Sequence, residues 1–160
     1  MTAPVSYATQ SDLEITLGGA DVLAQLADRN GDGVADTDVV TDYLESGAST
    51  VRAAVEIKYE PEAIALLDSD SLRHLRDLNK WWSASVAWLE GGRGQAMPAN
   101  VKEQREWVNQ ELDRIRTGER RLGRVAAGVQ PALGQVVQVV DSDPDGHGTT
   151  VASYRSAGFR

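Results

Sequence analysis

No cysteine occurs in this chain of 160 residues, so disulfides and thiolate metal sites are excluded. Long apolar runs are missing too, for none reaches the roughly 18 residues that a membrane span needs. The opening MTAPVSYATQ lacks the basic start and apolar centre of a signal peptide, so a protein made and kept in the cytosol is expected, or a component of a particle. Aromatics are few: four Trp, four Tyr and one Phe. The core must therefore be built mostly from Ala, Val and Leu. The two histidines, His74 and His147, have no metal-ligand spacing. His74 reads as a partly buried helix residue and His147 as a turn residue. No phosphate-binding glycine loop follows a strand, and GGRG at 91–94 reads as a loop between helices. Carboxylates are plentiful, but nothing distinguishes a general acid from a surface acid. No catalytic set emerges, and no cofactor is expected.

Basic residues are scarce at the front. Residues 1–60 hold eleven acids and three bases, 61–120 ten acids and nine bases, and 121–160 three acids and four arginines. A front half of this sign argues against binding to a nucleic-acid backbone, which needs clustered Lys and Arg. It fits a solvated acidic surface, or a patch that orients the chain against a basic partner.

What is present is mainly helical pattern. Ser11 with Glu14 three residues on has the spacing of a capping box ahead of a short helix that stops at Gly18-Gly19. ADVLAQLAD reads as a second short helix. A third is expected after Asp36, with Val40, Tyr43, Leu44, Ala48, Val51, Ala54 and Val55 at helical spacing, running to about Tyr59. Pro61 interrupts it, and a short turn near 64–67 follows. The fourth, from about Asp70 to Gly91, places Leu72, Leu75, Leu78, Trp82, Val86 and Leu89 on one stripe and Trp81, Ser85 and Trp88 on another. A fifth, from about Pro98 to Thr117, carries Val101, Val108, Leu112 and Ile115 on a narrow face, with Trp107 off that line and charges over the rest. The expectation is an all-α fold: a bundle of four to five helices over residues 1–120. Trp81, Trp88 and Trp107 exceed what one apolar face needs, which makes them candidates for packing between subunits.

LADRNGDGVAD, from Leu26 to Asp36, has the opening of a helix–loop–helix calcium loop. Asp28, Asn30, Asp32 and Asp36 fall at its first, third, fifth and ninth positions, with Gly33 sixth for the sharp turn. The twelfth position, which should hold a bidentate carboxylate, is Val39. The other reading is a structural turn: Asn30-Gly31 and Asp32-Gly33 supply turn residues, and Asp36 caps the next helix. Both stay open on sequence, and the missing ligand favours the turn.

After Arg121 the helix formers give way to glycine. PALGQVVQVVD has no helical period, and SDPDGHGTT is a turn signature. Residues 121–160 are expected to form an extended arm ordered by a partner. Its candidate docking residues are Val136, Val137, Val139 and Val140, with Tyr154 and Phe159 as anchors and Arg155 and Arg160 as charge partners.

Tyr7–Thr9, Asp12–Leu13, the short helix Val22–Leu26, the Asp28–Gly33 turn and the long helix toward Tyr59 together resemble the N-terminal signature of the head–tail connector proteins of Mu-like and related tailed phages. The resemblance covers about residues 7–60 and continues as helical pattern to about Arg120. Where the family often has a Pro-Leu-Pro-like segment after that tyrosine, this chain has EPEAIALLDSD. The resemblance implies a non-enzymatic subunit of the virion neck, made in the host cytoplasm. Such a subunit forms a ring, dodecameric by the resemblance, beneath the portal protein. The ring extends the DNA channel without binding DNA specifically and offers a platform to the next neck protein, of the stopper or tail-terminator type. The alternative is a calcium-dependent protein interaction module built on Asp28–Asp36.

Overall fold

A computed structural model describes residues 6–124, and over that range the chain is all-α. Its elements are α1 (Gln10–Leu17), α2 (Ala20–Ala27), α3 (Thr37–Val55), α4 (Pro61–Ile64), α5 (Ser69–Gly91) and α6 (Ala99–Thr117). Among the described residues no strand forms, and one isolated antiparallel bridge joins Leu67 to Arg124. No helix there is long and apolar enough to cross a membrane.

The helix ends follow local chemistry. The capping box of α1 is made by Thr9 and Asp12, not by Ser11 and Glu14: the Thr9 hydroxyl accepts the Asp12 N–H, and the Asp12 carboxylate accepts the Thr9 N–H at 2.8 Å. Glu14 instead accepts the Gln10 side-chain amide at 2.9 Å. Gly18, at φ 100°, ends α1 in the left-handed region that favours glycine, and α2 starts two residues later. Helix α3 stops at Val55, short of Tyr59. Pro61 then opens α4, a single turn in which its missing N–H leaves no bond unmade. Asp68 caps α5 by accepting the Ser71 N–H at 2.7 Å.

Helix α5 is central and packs against α1, α2, α3 and α6. Two apolar clusters lie along it. One joins Leu13, Leu23, Val40 and Tyr43 to Ala84 and Ala87. The other joins Val51 and Val55 to Leu75 and Leu78, and to Val108 and Leu112 of α6. Between them α3 meets α5 at Gly47, where a Cβ would lie 2.3 Å from Ser83 Oγ and 2.9 Å from the Asn79 carbonyl oxygen. The neighbouring polar groups are satisfied. The fully buried Asn79 amide donates to Leu44 O and Ser83 Oγ, and its oxygen accepts from Tyr7 N and Ser6 Oγ.

This close approach corrects the stripe expected for α5. Leu72 and Leu89 are 41% and 60% exposed, while Ser71, Asn79, Ser83 and Ser85 are buried. Small side chains let α3 come near, so the buried face follows distance of approach rather than hydrophobicity. For α6 the expected face is the buried one, with Val101, Val108, Leu112 and Ile115 inside and Glu111 among them.

Candidate functional site

The acidic loop between α2 and α3 is tied together by its own side chains. Asp28 Oδ1 accepts the Gly31 N–H at 2.6 Å, and Oδ2 accepts the Gly33 N–H at 2.8 Å. Asn30 Oδ1 accepts from Asp32 N, and Asp32 Oδ1 accepts from Val34 N. Asp36 stands at the N-cap position of α3 but does not cap it; its carboxylate accepts the Arg29 N–H at 2.7 Å and the Asn30 side-chain amide at 2.8 Å. The Gly33 and Gly31 amides hold the Asp28 carboxyl below the usual carboxylate range. The four candidate calcium ligands are thus oriented by backbone and neighbouring amides, in an Asx-turn network that orders the corner. Among the described residues no group of three or more His, Cys, Asp or Glu is placed to hold a metal ion.

Beside this loop is a cleft of about 330 Å³ lined by Leu26, Asp28, Trp88, Gly91, Arg93 and Gln95, among others. A Cβ at Gly91 would lie 2.0 Å from Leu26 O, so only glycine lets the end of α5 approach the end of α2 this closely. Arg93 has φ 45°, in the left-handed region, and its Nη2 donates to Asp28 O at 3.0 Å. The 91–94 loop therefore braces the acidic corner, a role that its local sequence does not announce.

The tryptophans are divided between the clusters. Trp88 packs partly against the first, whereas Trp81, Trp82 and Trp107 pack partly against the second. Each is half-buried on its own chain. The Arg105 guanidinium sits over the Trp82 ring at 5.1 Å, a cation–π contact.

At the N-terminal end of α5, residues 122–124 are clamped onto the body. Leu122 is buried, and its N–H donates to the Tyr59 hydroxyl at 2.8 Å. Gly123 donates to Ser71 Oγ at 2.8 Å and accepts the Asp68 N–H at 3.0 Å. A Cβ at Gly123 would lie 2.1 Å from Asp68 Oδ2. Arg124 lies over the Tyr59 ring at 5.2 Å. Residues 121–124, counted with the arm on composition, are thus packed on the body. The docking residues proposed for the arm, from Val136 to Arg160, lie outside the described residues.

Next to this clamp is a charged cluster that sequence reasoning missed. Glu111 has only 4% of its side chain exposed. Its Oε1 takes Arg114 Nη1 at 2.6 Å; its Oε2 is 3.3 Å from His74 Nε2 and 3.4 Å from Arg120 Nε. The edge of one ring meets the face of the other between His74 and Trp107, with centroids 6.1 Å apart. A signal existed: Val108, Glu111, Leu112 and Ile115 share one helical face, so a carboxylate at that position had to be buried and paired.

Comparisons with protein-family models, with curated proteins and with solved structures found no match to this chain.

Proposed function

We propose that this chain is a structural subunit of a phage-type virion neck, a head–tail connector that assembles as a ring beneath a portal and carries the next neck protein. The observation that carries the reading is the clamp at Tyr59, Asp68, Ser71 and Gly123. It fixes residues 122–124 on the helical body, which supports a reading in which residues 125–160 dock on a neighbour. The half-buried Trp81, Trp88 and Trp107 supply aromatic surface of the kind that anchors subunit contacts, each contributing about 2 kcal/mol or more when fully covered. The acidic front suits a channel wall, since like charge keeps DNA phosphates from adhering. The Asp28–Asp36 network supports a structural role for that loop, so the reading does not use a calcium-dependent module.

The test is assembly. Purified full-length protein, alone and with portal-bearing heads, is followed by sedimentation and electron microscopy. Closed rings on the portal vertex are expected. Trp81→Gln or Trp88→Gln should impair ring formation more than helix content. A chain that stays monomeric at every concentration and never joins such heads overturns the reading. A tryptophan variant that unfolds before it fails to assemble assigns that residue to the core.

A further inference from the structure

Glu111 Oε2 and His74 Nε2 are both buried and lie 3.3 Å apart, and neither has a better-aligned partner. Arg120 Nε approaches the same oxygen at nearly the same distance, 3.4 Å. One buried acceptor thus faces two cationic or proton-accepting groups from different elements, both at ion-pair distance. His74 belongs to α5, Glu111 and Arg114 to α6, and Arg120 to the segment between α6 and the clamp. The other charged group acting on His74 is Asp77, one turn along its own helix. Arg120 also closes the end of α6, its N–H donating to Arg114 O at 2.9 Å, and two residues later the chain enters the clamp at Tyr59 and Ser71.

We infer that Glu111 is the shared element of a proton-controlled latch: with His74 neutral its carboxylate holds Arg120 and the clamped segment, and with His74 protonated that segment is released. The proton comes from solvent and adds to the imidazole nitrogen. The imidazolium then claims Glu111 Oε2 and repels the Arg120 guanidinium. Arg114 keeps the other oxygen in both states. Burial first, and the nearby Arg120 second, hold the His74 imidazole below its ordinary value, against an opposing pull from Glu111 and Asp77. The Arg120 repulsion is relieved when residues 120–124 lift away. By linkage, a proton that binds more tightly to the open state must favour opening. The latch closes above the ordinary histidine range and opens as pH falls through and below it.

The latch is read on the free chain and does not depend on the neck assignment. The test is amide hydrogen exchange of the full-length protein by NMR, corrected for intrinsic pH dependence. Between about pH 7.5 and about pH 5.5, protection of the Leu122 and Gly123 amides should fall severalfold, because the proton binds more tightly to the open state. The Val108 and Leu112 amides of α6 should keep their protection, which separates opening from unfolding. In His74→Gln the step should vanish. In Glu111→Gln the clamped segment should be loosened at both pH values. Unchanged protection of Leu122 and Gly123 in the native chain, or an equal fall in His74→Gln, overturns the latch.

Discussion

Gly47 matters for the atom it lacks. In an exposed helix interior, replacing glycine by alanine stabilises by about 1 kcal/mol, through propensity. At Gly47 the added methyl would meet Ser83 Oγ, the Asn79 amide and the Asn79 carbonyl oxygen, all closer than 3.0 Å. Overpacking of this kind costs about 1–3 kcal/mol, and because one clash is with backbone the cost lies toward the upper part of that range and outweighs propensity. Gly47→Ala is expected to lower stability by a net amount of up to about 2 kcal/mol in denaturant titration. A stabilised variant would mean that α3 can withdraw from α5 without loss. Asp12 shows a charge deciding a local outcome. The Arg76 guanidinium, bonded to both of its oxygens, is the largest cause that holds its carboxyl down at about 2. Because this folded-state value lies below the ordinary 3.8, the pair's stabilising effect is complete above that ordinary value and is lost as pH falls toward about 2. In Arg76→Ala the Asp12 titration, followed by carboxyl NMR, should move up toward the ordinary range. An unmoved titration would assign the shift to the Thr9 bonds instead.

Helix α5 separates apolar pattern from buried position. Leu75 is fully buried between α3 and α6, whereas Leu89 is 60% exposed, although both fall on the stripe that spacing predicts. Leu75→Ala should cost about 2–5 kcal/mol through lost burial and the cavity it leaves. Leu89→Ala should stay within about 0.5 kcal/mol in the monomer. Equal losses in thermal melts would show that the exposed leucine is covered in solution. The corner between α2 and α3 is a different kind of element, held by polar bonds rather than by burial. Asp28→Ala would unhook the Gly31 and Gly33 amides, and their hydrogen exchange should quicken while the α5 amides stay protected. Calcium titrated into the native chain is expected to give no binding heat. A tight, Asp28-dependent heat would return the loop to the metal reading.

For the whole molecule, the place where the body ends becomes measurable. Cutting after Gly118 removes the buried Leu122 and the three bonds made by Leu122 N, Gly123 N and Gly123 O. Leucine burial of about 1.5–3 kcal/mol, with about 0.5–1.5 kcal/mol for each bond, puts the loss at about 3 kcal/mol or more. Cutting after Arg124 should leave the melting transition of the body in place and, on the neck reading, abolish joining to portal-bearing heads. The two truncations therefore separate folding from docking. If the chain cut after Arg124 still joins heads, residues 125–160 are not the docking element. Charge is distributed unevenly at the same scale. Around α2 and the start of α3, the exposed Asp21, Asp32, Asp38 and Asp42 have no cation partner among the described residues, whereas farther along Arg114 and Arg116 pair with acids three residues before them on α6.

The amino-acid sequence by itself determined what one-dimensional spacing can encode. The 3.6-residue period of Val101, Val108, Leu112 and Ile115 marked α6 and its buried face, and Pro61, Gly18 and Gly118 marked where helices start or stop. The acidic corner was legible as a turn because Asx side chains bond to amides only a few residues away. Helix ends shifted by a few residues where two caps competed, as Thr9 did with Ser11. What only the tertiary structure decided was everything that depends on how near two helices come. Gly47 and Gly91 look like helix weaknesses until a partner backbone is placed against them. Ser83 and Asn79 look solvated until α3 covers them. Glu111 falls on the buried face by spacing, but its distant partners His74 and Arg120 are identified only by the fold. Periodicity reports the direction in which a side chain points. It carries no information on the distance to what lies there, and that distance decides whether a small, polar or charged residue is buried.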